Sequence, residues 1–422
     1  MGVERLSFDI LGSIFAEVCE ATDPKGKQHI IIRLSSVCST WRNAALAYSI
    51  LWSNIYLPLL SDINPADPRE RLLAVYIERS GIAPLSITIR NNPRNTGRQI
   101  PFTSSIYTLL HANAHRWQKL DIVGSLVLPV YFCPFLSPAS RDMGMLRSLK
   151  LVRNCTTESV RIDNLLGLRR APNLRTLHFN MYSLPAGPCY RGPPYSAVRD
   201  LILEPDKVGL KSLPTYGLTC LRPFMSLERL VVVPSFANHG QDTIQIASLT
   251  SLTLYISQGS QRSFGTYLCV LRLPSLRSLV IIGVGAGSVI EHQSIVALTH
   301  TCCSSLRDFI IDKIPLRSHG LIEILNPLQD LRHLTVCEPT VSLLRAYYPI
   351  SQQFARRLLD DSSFLPKLAS VDIHLHAQSM VEQSLIDDAI ERRVLHRLDS
   401  CEVSSLRRKI TPHFQLEDGF CY

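Results

Sequence analysis

The sequence predicts an α/β chain. A small all-α unit of three helices comes first, followed by an irregular array of strand-and-helix repeats on a parallel sheet. Three observations carry this. An apolar triad of fixed spacing recurs along most of the 422 residues. Amphipathic stretches at helical spacing separate several of the triads. The first sixty residues lack the triad and carry apolar residues at the 3.6-residue period of a helix instead.

In those sixty residues Ser7 can cap a helix, with Asp9 in the first turn, where the helix dipole favours a carboxylate. Leu6, Ile10, Leu11, Ile14, Phe15 and Val18 then fall on one stripe. Asp23-Pro24-Lys25-Gly26 reads as a turn. A second helix is expected to carry Ile31, Leu34, Val37, Cys38 and Trp41. Ala44, Ala45 and Ala47 mark a third packed segment, which ends before Leu51-Trp52-Ser53-Asn54-Ile55. Residues 59–81 read as a linker that contains a helix.

The triad places apolar residues at positions 1, 4 and 6. It begins as Ile82/Leu85/Ile87 and Trp117/Leu120/Ile122. It continues as Leu146/Leu149/Leu151, Leu174/Leu177/Phe179, Val198/Leu201/Leu203, Leu227/Leu230/Val232 and Leu249/Leu252/Leu254. Leu276/Leu279/Ile281, Leu306/Phe309/Ile311, Leu331/Leu334/Val336 and Leu368/Val371/Ile373 complete it, eleven units at a mean step of about 29 residues. The last two positions of a triad alternate, so they share one side of a short strand, and the first sits in the turn before it. Ile290, Ile295 and Leu298, and again Leu321, Ile324, Leu325 and Leu328, are spaced for helices. Pro172, Pro274 and Pro366 each stand two residues before a triad, where they would end a preceding helix. Strand, helix and turn repeated in one direction stack into a parallel sheet.

The triad resembles the leucine-rich repeat, L-x-x-L-x-L-x-x-N/C-x-L. The Asn/Cys position is filled by Asn154, but elsewhere by residues such as Tyr182, Ser235, Ser257, Val284 and Pro339, which implies irregular turns after the strands. At the N-terminus, Leu6-x-x-x-Ile10-Leu11-x-x-Ile14-Phe15, then Val37-Cys38-x-x-Trp41-Arg42-x-x-Ala45, then Leu51-Trp52-x-x-Ile55 resembles an F-box. That family usually has Pro after the first leucine, and this chain has Ser7. Leu72 to Ile89 is similar to the helix-and-strand connection in the large F-box families of mushroom-forming fungi. Together these resemblances imply a three-helix F-box over 1–58 and the linker over 59–81. A leucine-rich-repeat-like horseshoe with a parallel sheet and a C-terminal helical segment would follow over 82–422.

The F-box resemblance implies a function as well. The chain would be the substrate-recognition subunit of an SCF-type cullin-RING E3 ubiquitin ligase. Its F-box would bind a Skp-type adaptor through Leu6, Ile10, Leu11, Phe15, Val37 and Trp41. Its repeats would hold a target protein. The alternative is a repeat scaffold without a ligase role, in which the N-terminal helices only cap the array.

Composition narrows the field. Apolar residues make up 46% and charged residues 19%, a core-forming balance that excludes a disordered chain. Of the net charge of +9, residues 61 to 380 carry +11, offset by −2 after them, as arginines scattered beside leucines rather than in a run. Nucleic-acid binding needs a clustered footprint, so a nucleic-acid partner is not expected. Met1 to Arg5 lacks the layout of a signal peptide. Ile122 to Ser140 is uncharged but contains Pro129, Pro134 and Pro138, which exclude a spanning helix. An intracellular protein of cytoplasm or nucleus, with free thiols and no membrane association, is the expectation.

No enzyme is expected, and no cofactor or metal. Among the twelve cysteines there is no C-x-x-C. Gly283-Val284-Gly285-Ala286-Gly287 has the wrong spacing for a phosphate loop. His111 and His115 have metal spacing on a helix but no third ligand in reach, and His374 and His376 lack acidic or cysteine partners at metal spacing. The residues flanking the inward strand positions are more promising. Val231, Val233, Tyr255, Val280, Ile282 and Ile310, with Thr253 and Asp312, would line the concave side as a target-binding face. Alternatively they only favour β-structure, or the C-terminal segment covers them.

Overall fold

The computed structural model describes residues 6–59, 68–91, 104–124, 143–153, 171–180, 195–204, 221, 224–232, 243–257, 268, 271–284, 292–339, 347–375, 381 and 383–398. Among the described residues, nine α-helices accompany a twelve-stranded sheet and a separate two-stranded one.

Helix α1 spans Phe8–Glu20 and starts where the sequence places it, with Ile10 N–H donating to Ser7 Oγ at 3.4 Å. Helix α2 is Pro24–Val37. The expected turn at 23–26 is instead its first turn: Asp23 Oδ1 accepts from Gly26 N–H at 2.6 Å, and Pro24 occupies the position where a missing N–H costs nothing. The second and third predicted helices also divide differently. Cys38 is extended, at φ −157° and ψ 173°, and its thiol accepts from Trp41 N–H at 3.4 Å. It therefore caps helix α3, Ser39–Ala47, and Trp41 lies on α3 rather than α2. Leu11, Phe15, Cys19, Ile31, Ala44 and Ala45 form the buried centre of the three helices. A 3-10 turn, Ser49–Ser53, leads into the sheet.

The large sheet consists of β1 (Asn54–Leu59), β2 (Leu85–Asn91), β3 (Trp117–Gly124), β4 (Ser148–Arg153), β5 (Thr176–Asn180), β6 (Asp200–Glu204), β7 (Arg229–Val232), β9 (Ser251–Ser257), β11 (Ser278–Val284), β12 (Asp308–Asp312), β13 (His333–Cys337) and β14 (Ser370–His374). They lie in chain order and every pair is parallel. Strands β8 (Ile244–Gln245) and β10 (Leu271–Arg272) form the small sheet. Sequential parallel strands fit an α/β horseshoe. The sheet begins at Asn54, immediately after the helical unit.

The triads explain this arrangement. From Trp117 to Val336 every triad side chain is buried, including Leu276, Leu279 and Ile281. Each such leucine contributes roughly 1.5–3 kcal/mol of burial. Register keeps them aligned: Leu252, Leu279, Phe309 and Leu334 are consecutive partners across four strands. Backbone polar groups before the strands are satisfied by a second regularity. The carbonyl of Arg307, just after a leading apolar position, accepts from Arg332 and His333 N–H at 2.8 and 2.9 Å. Arg147, Arg175, Arg199, Glu228, Thr250, Arg277 and Arg332 do the same toward their own next units. This ladder is independent of side-chain identity, so irregular repeats can share it.

Two triads depart from the pattern. Ile82 is 94% exposed rather than a buried leading residue. Helix α4, Pro68–Arg79, ends just before it, and Gly81 at φ 54° turns the chain sharply. Buried Arg116 holds this turn, donating to Ser80 Oγ at 2.6 Å and to the Ala83 carbonyl at 2.9 and 3.1 Å, which leaves Ile82 outside it. At the other end Val371 and Ile373 are only half-buried, because β14 is the terminal strand.

The remaining helices are α5 (Ser104–Ala112), α6 (His292–Cys302), α7 (Ser318–Leu325), α8 (Gln352–Asp360) and α9 (Gln383–Leu398). Ile295 and Leu298 on α6, and Leu321, Ile324 and Leu325 on α7, are buried as their spacing requires. Ile290 and most of Ile122 to Ser140 lie outside the described residues. No described helix is long and apolar enough to cross a membrane.

Candidate docking surfaces

The apolar stripe of α1 is two stripes. Leu11, Phe15 and Cys19 recur every four residues and are buried. Ile10, Ile14 and Val18 recur at the same interval one residue earlier, about 100° around the helix, and are exposed. Residues four apart on a helix are surface neighbours, so these three form one ridge. Further exposed apolar side chains in the same unit are Phe8, Ile32, Val37, Leu46 and Ile50. Of the eleven large exposed hydrophobics among the described residues, eight lie between residues 8 and 50, and the others are Ile82, Met145 and Met225.

This divides the six expected contact residues. Ile10, at 50% exposure, and Val37, at 61%, are accessible. Leu6 and Trp41 are half-buried, and the Trp41 ring lies 5.1 Å from that of Phe15. Leu11 and Phe15 are each 1% exposed and belong to the core of the three helices, so neither can touch a partner. Phe8, Ile14, Val18, Ile32, Leu46 and Ile50 went unnoticed as surface residues. The signal for the α1 members was the width of the stripe, which is more than one packed face of so small a unit needs.

The second surface is the face of the sheet opposite the buried triad side chains. Ile202, Val231, Thr253, Val280 and Ile310 are successive register partners, all half-buried. Tyr255, Ile282 and Asp312 form the next row, also half-buried, while Val233 lies outside the described residues. Toward the N-terminal end the first of these rows turns polar through His178, Lys150, Asp121 and Thr88. Asp121 accepts from Arg90 Nη2 at 3.1 Å with its own side chain 6% exposed. Helix α9 packs against α8 through buried Ile386 and Ala389, so its described part covers α8.

The groups considered for chemistry do not assemble a nucleophile among the described residues. Burial first, then the neighbouring Cys303, pushes the Cys302 thiol up to about 12. Burial, then Asp312 and Asp372, pushes Cys337 up to about 12 as well. Thiols so raised stay protonated and unreactive near neutrality. His111 is on α5 and His115 in the 3-10 turn that follows, so they share no helical face. His374 has an acidic neighbour that the sequence reading missed, Asp372 Oδ1 at 3.2 Å, while His376 lies outside the described residues. Gly283 serves packing: a Cβ there would lie 2.3 Å from the Lys313 carbonyl oxygen.

The raised thiols have a consequence for stability. The unfolded chain releases these protons near the ordinary value of 9.0, whereas the folded chain holds them to about 12. The folded state therefore binds more protons between these values, and stability must fall as pH rises through that window. Fully buried Cys302 contributes at most about 1.4 kcal/mol per pH unit there. Urea midpoints are expected to drop between about pH 8 and about pH 10.5, and less steeply in Cys302→Val.

No family model and no curated protein matches the chain. A solved protein from Bacteroides fragilis aligns over 77% of this chain and 75% of its own, at 11% identity and a TM-score of 0.27. A likeness that weak carries nothing about fold or function.

Proposed function

We propose that the protein is the substrate-recognition subunit of an SCF-type cullin-RING E3 ubiquitin ligase. The supporting observation is the concentration of exposed apolar side chains on the N-terminal helices, led by the Ile10–Ile14–Val18 ridge. Contiguous exposed apolar surface marks a binding site. The F-box resemblance of the same residues names its occupant, a Skp-type adaptor. In this reading Ile10 and Val37 meet the adaptor, Leu11 and Phe15 hold the helices that present them, and the half-buried Leu6 and Trp41 border the contact. The row Ile202, Val231, Val280 and Ile310, with Tyr255 and Ile282 beside it, supplies the target-binding face.

The mechanism is positional. Adaptor and target are held on one chain, so the ubiquitin-loaded enzyme meets the target at high effective concentration. The chemistry belongs to partner subunits, and the protein itself is no enzyme. Its place of action is intracellular.

The test is capture of a purified Skp-type adaptor by the full chain, beside the variant Ile10→Asp, Ile14→Asp. Both side chains are exposed, so the variant is expected to keep the wild-type thermal midpoint; a change at buried Leu11 would confound folding with binding. Charging the ridge should weaken capture at least about tenfold. Failure of the intact chain to bind would sink the reading and leave a repeat scaffold with a helical cap. Equal binding by the variant would show that the adaptor uses another surface.

A further inference from the structure

Helices α6 and α7 belong to consecutive repeats and pack side by side. His292 opens α6, and His319 and Glu323 stand four residues apart on α7, which places them on one face. Gly320, between them, lets the His292 ring lie against α7, since a Cβ there would come within 2.9 Å of His292 Cγ. The ligand atoms of His292, His319 and Glu323 all lie within 4.8 Å of one another. His292 Nε2 is 2.9 Å from Glu323 Oε2, and the His319 ring is edge-on to that of His292 at 5.1 Å.

Hydrogen bonds hold the same groups together. With Glu323 as a carboxylate and the His292 proton on Nε2, His292 and Gln293 both donate to Glu323 Oε2, at 2.9 and 3.2 Å. The two donor nitrogens lie 3.1 Å apart, as two groups sharing one acceptor oxygen do. This network turns His292 Nε2 and the Glu323 carboxylate toward one point beside His319. A cation there would take the place of the Nε2 proton, because a ligating imidazole must be deprotonated at the ligand atom.

We propose that His292, His319 and Glu323 form a binding site for a divalent first-row transition metal, with zinc(II) as the best-fitting ion. Two imidazoles and one carboxylate are a zinc ligand set that leaves a coordination position open. Tetrahedral zinc wants its ligand atoms about 3.4 Å apart, so the 2.9 Å pair opens slightly and the widest separation closes. His319 and Glu323 are both at the surface, where their side chains are free to rotate toward that geometry. Bound metal would clip one repeat to the next on the helical side of the sheet.

Zinc(II) alone, titrated calorimetrically into the metal-free full chain, is the probe. One equivalent should bind and raise the unfolding midpoint of the intact chain. His319→Asn and Glu323→Gln alter surface side chains and should preserve the metal-free midpoint. Each should weaken zinc binding at least about tenfold, and together they should abolish the metal-induced rise in midpoint. Cobalt(II) should bind without thiolate charge-transfer absorption. Absence of zinc binding would overturn the proposal, as would equal affinity in the double variant. Thiolate bands with cobalt would assign the metal to cysteines and overturn it too.

Discussion

Trp52→Ala is expected to cost about 3–5 kcal/mol, the range for truncating a buried aromatic side chain. Trp52 joins three parts of the fold. Its indole N–H donates to the Ala45 carbonyl of α3 at 2.7 Å. Its ring meets that of Tyr76 on α4 edge-on at 5.2 Å, and the Arg79 guanidinium lies 4.3 Å above it. The side chain fills the junction where Leu51, Ile55 and Leu57 bring the chain from the helices into β1. Gln28 and Arg69 reinforce that junction by donating to the Tyr56 and Pro58 carbonyls of β1. Removing the ring leaves a cavity between helical unit and sheet, with the Ala45 carbonyl short of a donor. Trp52→Phe keeps most of the volume and loses the hydrogen bond, so about 1–2 kcal/mol is expected. Urea unfolding of both variants checks the pair; equal small losses would mean that the junction contributes little. If the proposed adaptor contact holds, capture by Trp52→Phe should stay near wild type, because the exposed ridge is untouched.

How much of this was legible in the sequence depended on range. The cap at Ser7 and the sheet-forming triads are local patterns, and nearly all of them hold, whereas Asp23, read as part of a turn, caps the second helix. The same patterns fixed the α/β class with a parallel sheet. Leu11 and Phe15 were misplaced because periodicity gives the width of an apolar stripe but not which edge packs inward. Ile82 was misplaced because a turn held by Arg116, thirty-four residues later, overrides the triad. Likewise Gly283 reads in sequence as a loop glycine, whereas the cause is the Lys313 backbone brought near by strand pairing. The meeting of His292 with His319 and Glu323 depends on which helices lie side by side. Spacing along the chain could not reveal it.

Leu279→Ala should be nearly as costly, about 2–5 kcal/mol, while Val371→Ala should cost about 1 kcal/mol or less. The triads are chemically similar, so position in the stack makes the difference. Leu279 is fully buried in β11 with paired strands on both sides; Val371 is half-buried on the terminal strand. In a quasi-one-dimensional array each unit is stabilised by its neighbours, so a defect in mid-stack can uncouple the two flanks. The three tryptophans make this visible, since Trp41, Trp52 and Trp117 all precede β4. Fluorescence therefore reports the N-terminal units, and circular dichroism reports the whole chain. For Leu279→Ala the dichroism transition should begin at lower urea than the fluorescence transition, whereas the two should coincide in the parent chain. Coincident transitions in Leu279→Ala would mean that the array unfolds as one unit. If the transitions separate, the variant loses the sheet face around Val280 and Ile310 at a urea concentration where the helical unit remains folded. If the proposed function holds, adaptor capture should then persist after target binding has gone, which would place the two proposed contacts at opposite ends of the chain.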